Sequence, residues 1–194
     1  MKYLAGLLAV LLLAGCATTP APRSSESAAA LSAWQLNGRM SLTRGEEGWH
    51  ASLHWQQQAD SYFLRVSGPL GQGGFQLSGD SHGVVLVDAD GQTFAARDAD
   101  ALLVQVTGWQ LPVMGLRYWV RGLPAPGGGE ALTSRNETGQ LSRLIQSGWT
   151  IKYDRYQIVG DISLPDKLQL VSDDISVRII IDKWELGAVT AYLP

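Results

Sequence analysis

Cysteine is nearly missing from this chain: Cys16 is the only one in 194 residues. That excludes an intramolecular disulfide, and it leaves everything beyond Cys16 without a thiol nucleophile. Charge is sparse too, with 15 Lys and Arg against 18 Asp and Glu. A net charge of −3 gives no pull toward nucleic acid, which wants dense Lys and Arg. No apolar run reaches the ~20 residues that a membrane-spanning helix needs. No Gly-x-Ser-x-Gly elbow occurs. Gly71-Gln72-Gly73-Gly74 lacks the helix start or lysine of a phosphate loop. His50 and His54 share a strand face but lie ~13 Å apart along it, too far to ligate one metal. His82 sits in a turn with only Asp80 beside it. The pairs Asp88/Asp90 and Asp173/Asp174 read as turn residues. No catalytic residue, metal or cofactor is expected, and the chain does not read as an enzyme.

What is present starts with a leader. Lys2 gives a positive start, Leu4 to Leu13 is a short apolar run, and Leu13-Ala14-Gly15 are followed by Cys16. A positive start, ~7–15 apolar residues and small residues at the end make a secretory signal peptide. The Leu-Ala-Gly-Cys ending resembles a bacterial lipobox, which implies cleavage after residue 15 and a lipid anchor on Cys16. Removing residues 1–15 leaves 179, enough for one domain with a sizeable core. Residues 16–32 are rich in Thr, Pro, Ser and Ala and read as a lipidated tether. Such a tether has an r.m.s. reach of ~20–25 Å. Residues 33–194 form the single expected domain.

Within that domain the hydrophobic period is two. Trp34, Leu36, Gly38, Met40 and Leu42 alternate with polar residues, as do Trp49, Ala51, Leu53 and Trp55. Further alternating runs cover 62–67, 75–77, 84–87, 132–137, 140–146, 149–153, 156–162, 168–170 and 175–183. Alternation of this kind marks half-buried antiparallel strands. Asp90-Gly91 predicts a hairpin turn. Two stretches carry helical spacing instead. Asp98 suits an N-cap before Ala99, Leu102, Leu103 and Val106, with Gly108 as C-cap. Pro112 suits the first turn of a second helix running to Arg121, with Gly122 to end it. The fold class is mainly β: about ten or eleven strands in an antiparallel meander that curls into a barrel or half-barrel, its opening covered by the helices.

The anomalies are apolar. The second helix is apolar nearly all round, so it must be covered on most sides or border an apolar space. Leu70 stands alone in a Gly/Pro turn, Ser67-Gly68-Pro69-Leu70-Gly71. Loops run over the surface, so an exposed Leu70 is one reading, and a leucine folded back as a plug is the other.

Several strings, in order along the chain, resemble the LolB family of outer-membrane lipoprotein receptors. They are Trp34-Gln35-Leu36-Asn37-Gly38-Arg39, Trp55-Gln56-Gln57, Gly68-Pro69-Leu70-Gly71 and Gly108-Trp109-Gln110-Leu111-Pro112-Val113. Leu116-Arg117-Tyr118-Trp119, Gly122-Leu123-Pro124, Gln146-Ser147-Gly148-Trp149 and Asp182-Lys183-Trp184 continue the series. The resemblance implies an open antiparallel half-barrel with helices across its concave face. It implies a receptor, anchored in the outer membrane on its periplasmic side. Such a receptor accepts triacylated lipoproteins from the soluble carrier LolA and places them in the inner leaflet. On that pattern Leu70, flanked by Pro69 and Gly71, is the membrane-delivery residue.

Acyl chains are costly to leave in water, at about 0.8 kcal/mol per CH₂, so transfer without a nucleotide must run toward the better apolar site. The candidate acyl-chain cavity is Leu64, Val66, Leu102, Leu103, Met114, Leu116, Trp119 and Trp149; ordinary core packing is the alternative for each. Expected partners are the LolA-type carrier, triacylated cargo and outer-membrane lipid, with no nucleic acid, and the receptor itself is expected to be a monomer. A lipoprotein that binds a free lipid, a structural lipoprotein and an envelope hydrolase are the competing readings.

Overall fold

A computed structural model describes residues 28–69, 73–173 and 175–187. The signal peptide, Cys16, most of the tether, Leu70 and Gly71 lie outside the described residues.

Eleven strands form one open antiparallel sheet in the order β6-β5-β4-β3-β2-β1-β11-β10-β9-β8-β7. The first half is β1 (Ala33–Arg44), β2 (Glu47–Gln58), β3 (Ser61–Ser67), β4 (Gly74–Gly79), β5 (Val84–Asp88) and β6 (Thr93–Ala96). The second is β7 (Leu132–Arg135), β8 (Leu141–Gln146), β9 (Trp149–Val159), β10 (Ile162–Ser172) and β11 (Ile175–Leu186). Each half is a meander of neighbours in sequence. The two halves are joined by β1 pairing with β11, the first strand with the last. Between them in sequence lie α1 (Ala99–Thr107) and α2 (Val113–Trp119).

The expected alternation places Leu36, Met40, Leu42, Leu53, Trp55, Leu64, Val66, Ile151 and Ile179 in one buried cluster on the inner face. It breaks at Asp182. Asn37 pairs with Lys183 and Gly38 with Ile181, so Asp182 is an extra residue, a β-bulge. The bulge reverses the alternation: Asp182 and Lys183 both face out and Trp184 turns in. A plain period of two puts Lys183 on the same face as Ile181; the bulge is what overrides it. Arg39 holds the bulge with both Nε and Nη2 on the Asp182 carboxylate, at 3.2 and 2.9 Å. Gly38 is required opposite it, because a Cβ there would run into the Ile180 carbonyl oxygen. A second irregularity in β10 buries Asp166, whose carboxylate accepts from Arg155 Nε at 2.8 and 2.7 Å.

The helix signals hold. Asp98 Oδ1 accepts from the Ala101 N–H at 2.7 Å, and Gly108 closes α1 with φ +73°. Arg44 donates to the Gly108 carbonyl at 3.1 Å, pinning the end of α1 to β1. α2 is shorter than the predicted 112–121, because its last residues tighten into a turn that ends at Gly122, φ +75°. Pro112 supplies no capping side chain; Asp100 from α1 accepts from the Met114 N–H at 3.3 Å instead. α1 packs against β5, β6 and α2. The Asp90-Gly91 turn forms with Gly91 at φ +80°.

Candidate functional site

The interior under the helices has two differently built ends. At one, Trp34, Trp55 and Trp184 pack ring on ring, with centroids 5.5 and 5.4 Å from Trp34. Trp184 is held by its indole N–H on the Pro165 carbonyl at 3.0 Å, and Trp55 by Gln57 Oε1 at 3.3 Å. Arg121 is buried beside them, and among the described residues it forms no salt bridge. Its Nη1 donates to the carbonyls of Ala28 and Leu31, both at 3.1 Å, and its Nε to that of Arg117. Its guanidinium lies over the rings of Trp34 and Tyr118. Burial, and then the neighbouring Arg117, pull its pKa down. The start of the domain is thereby sealed onto this end.

At the other end a cleft of about 650 Å³ opens between the helices and the rim of β9–β11. Asp100, Ala101, Val104, Gln105 and the Gln110–Pro112 segment line one side, and Ser147 to Trp149, Ser172, Asp173 and Ile175 the other. Apolar and polar groups mix here, as in a groove whose mouth is wet. Gln146 braces its base: its Oε1 accepts from Trp119 Nε1 at 3.0 Å and from the Ala125 N–H at 2.8 Å. Trp119 and Trp149 stand 6.4 Å apart. Burial raises the pKa of Asp100, against the lowering effect of the Met114 and Val113 N–H groups.

Of the predicted cavity residues, Leu64, Val66, Leu102, Leu103, Leu116, Trp119 and Trp149 come together in one buried cluster. Trp149 alone among them borders the cleft. Met114 is 46% exposed and stands apart from that cluster. Leu111, Val104 and Ile175 line the cleft without having been singled out. Leu111 lies in the short link between the helices, where neither period marks it; Ile175 looked like any inward strand residue. Pro69 is exposed and borders a shallow groove on the outer face with Ser41, His50 and Arg178. His50 is solvent-facing. His54 Nδ1 lies 2.6 Å from Asn37 Oδ1, and burial, then Arg65, lower its pKa.

Comparison with known proteins agrees in family and in fold. The family model described as "Outer membrane lipoprotein LolB" matches residues 32–184. An outer-membrane lipoprotein LolB of Chromohalobacter salexigens is 37% identical over 192 residues, covering 93% of this chain and 89% of that protein. Another, of Nitrosococcus oceani, is 37% identical over 194 residues, covering 93% and 96%. Among solved structures, a LolA superfamily protein from Nitrosomonas europaea superposes with a TM-score of 0.55 at 8% identity, covering 86% of this chain and 95% of that one. A DUF1329 family protein from Desulfovibrio piger gives 0.57 at 6% identity, covering 86% and 90%.

Proposed function

Because this chain belongs to the outer membrane lipoprotein LolB family, we propose that it is a lipoprotein-localisation receptor anchored in the outer membrane through Cys16. It takes triacylated lipoproteins from a LolA-type periplasmic carrier and passes them to the inner leaflet. The observation that carries this reading is the cleft: an opening about 650 Å³ in volume leads from the rim to Trp149 and Ile175. Behind Trp149 lies Trp119, and with it the buried aliphatic cluster of the helices and strands.

Acyl chains enter at this mouth and displace the helix side chains from the sheet. α2 suits such movement, since its N-terminus is held by the Asp100 carboxylate of α1 rather than by a cap of its own. The reaction is exchange of apolar surroundings, carrier to receptor to bilayer, with no bond made or broken. Each step is driven by the difference in apolar burial between the two sites, while the ~0.8 kcal/mol per CH₂ lost to water keeps the chains from being released between them.

Mixing the purified receptor with a carrier–lipoprotein complex tests this. Cargo should move to the receptor without nucleotide; cargo that stays on the carrier sinks the reading, and a receptor that binds free phospholipid in its place supports a lipid-binding role. Leu70 acts later, by entering the bilayer surface during release. A Leu70→Glu variant should still receive cargo and fail to deliver it to outer-membrane vesicles. Normal delivery by that variant removes the role from Leu70.

A further inference from the structure

The outer face of the sheet carries a row of cations that cargo binding does not use. Residues paired directly across strands share a face. His50 lies opposite Ser41, and Ser41 opposite Arg178. Arg178 lies opposite Gln169, Gln169 opposite Lys152, and Lys152 opposite Arg143. Their strand neighbours Met40, Val177, Ile151 and Leu144 are buried, which fixes this row on the outside. Its cations, Arg178, Lys152 and Arg143, lie on β11, β9 and β8, three strand spacings of ~4.8 Å or about 14 Å from first to last. Arg143, Lys152 and Arg178 are exposed, and among the described residues none of the three forms a salt bridge.

A second row runs parallel to it, one pair nearer the rim that holds the cleft mouth. Val171 lies opposite Thr150, Thr150 opposite Ile145 and Ile145 opposite Leu132. Leu132 is 56% and Val171 43% exposed. The two rows lie two residues, ~7 Å, apart along the strands. Carboxylates on this rim, among the described residues, include Glu46 and Glu47 where β1 turns into β2, Asp173 between β10 and β11, and Glu130, exposed two residues ahead of Leu132. The two rows face solvent together across β7–β10, with Arg178 at the margin, Glu130 and Asp173 flanking them at the rim, and Asp154 on their far side, where Gln169 and Lys167 hold its carboxylate.

We propose that this corner is a docking surface for a bilayer of anionic phospholipid. Leu132, Ile145 and Val171 reach the headgroup boundary, and Arg143, Lys152 and Arg178 stand behind them at the level of the phosphates. Aliphatic groups outermost with cations one step behind is the layering of an interfacial element. An acidic protein partner requires no such order. The whole chain carries −3, so attraction to an anionic surface depends on this local segregation. The inference rests on the receptor reading for the Cys16 anchor, which keeps a bilayer within reach of the tether. Docked this way, the cleft mouth faces the membrane that receives the cargo.

The test uses the full-length lipidated protein with Ser134→Cys, a β7 position opposite Arg143. Its new thiol carries a fluorophore, and the protein is reconstituted in phosphatidylethanolamine vesicles with or without phosphatidylglycerol and a lipid-borne quencher. Quenching should appear with phosphatidylglycerol and fade with salt. The triple variant Arg143→Glu, Lys152→Glu, Arg178→Glu should weaken docking on the order of a hundredfold, about fivefold per cation removed. Leu132→Ser should weaken it with the salt dependence unchanged. Wild type unquenched in anionic vesicles, or a triple variant quenched like wild type, overturns the proposal. So does a triple variant that keeps its quenching and loses affinity for the loaded carrier, because the corner then docks protein. Cargo uptake by the wild type is read in parallel: its absence sinks the receptor reading while the quenching still decides this one.

Discussion

Trp34 and Trp149 are both inward-facing tryptophans on strands, and they do different work. Trp34 is enclosed by Trp55, Trp184 and the Arg121 guanidinium. Trp149 has Trp119 on one side and the cleft on the other. Close packing at the first end fixes where the two halves of the sheet meet, since β1 carries Trp34 and its partner β11 carries Trp184. Looser packing at the second leaves an entrance. On the proposed function the two ends divide the work: one holds the fold while the other changes shape. Regions that move are drawn from the less stable part of a structure.

The sharpest way to break this contrast is to truncate both rings. Trp34→Ala removes a fully enclosed indole and should destabilise the domain by about 3–5 kcal/mol in urea unfolding. Trp149→Ala enlarges a space that already opens to solvent and should cost roughly half as much. The cargo assay should reverse the order, with Trp149→Ala changing uptake at temperatures where both variants are folded. Equal unfolding costs would mean that the cleft end is as tightly built as the closed end.

Much of this arrangement was legible in the residues. Period-two alternation located the strands because each has one wet face and one buried face. Asp98, Gly108 and Asp90-Gly91 marked their elements because capping and turn chemistry is local. What could not be read was non-local. The bulge at Asp182 arises from a two-against-one match with Asn37 and Gly38, residues over 140 positions away. Nothing in Asp182-Lys183-Trp184 alone says that the lysine points out and the tryptophan in. The cleft was hidden for a similar reason. Leu102, Leu103, Leu116 and Trp149 are all apolar residues at inward positions, and only the path of the 110–112 link decides that Trp149 borders open space while the others do not.

A smaller effect should follow from Arg121→Met, which keeps the apolar stem and deletes the donors. The Ala28 and Leu31 carbonyls then lose their partner, at about 1–3 kcal/mol for buried acceptors left unpaired. Part of that loss is offset because a buried cation no longer has to be desolvated, which is the cause of the lowered Arg121 pKa. The clearer readout is local: limited proteolysis should cut near residues 28–32 sooner than in the wild type, with the cleft end unaffected. Unchanged cleavage would mean that the start of the domain is held by Trp34 rather than by the guanidinium.

The smallest effect is nil at neutral pH and appears only in alkali. Tyr62 and Tyr153 are buried phenols and Tyr156 a half-buried one, none of them in the cleft lining. Burial pushes Tyr62 up to about 12, helped by Asp100, and raises Tyr153 and Tyr156 as well. An unfolded tyrosine ionises near 10, so between about 10 and 12 the unfolded chain releases a proton that the fold retains. Stability is therefore full below pH 10 and falls as pH rises through that window. Tyr62→Phe should flatten the fall. Phenolate absorbance followed beside tryptophan fluorescence would show whether ionisation and loss of the Trp34 cluster coincide. Coincidence places the closed end at the limit of the whole domain's stability; phenolate formation with the tryptophan signal intact would show that these hydroxyls reach water without the closed end opening.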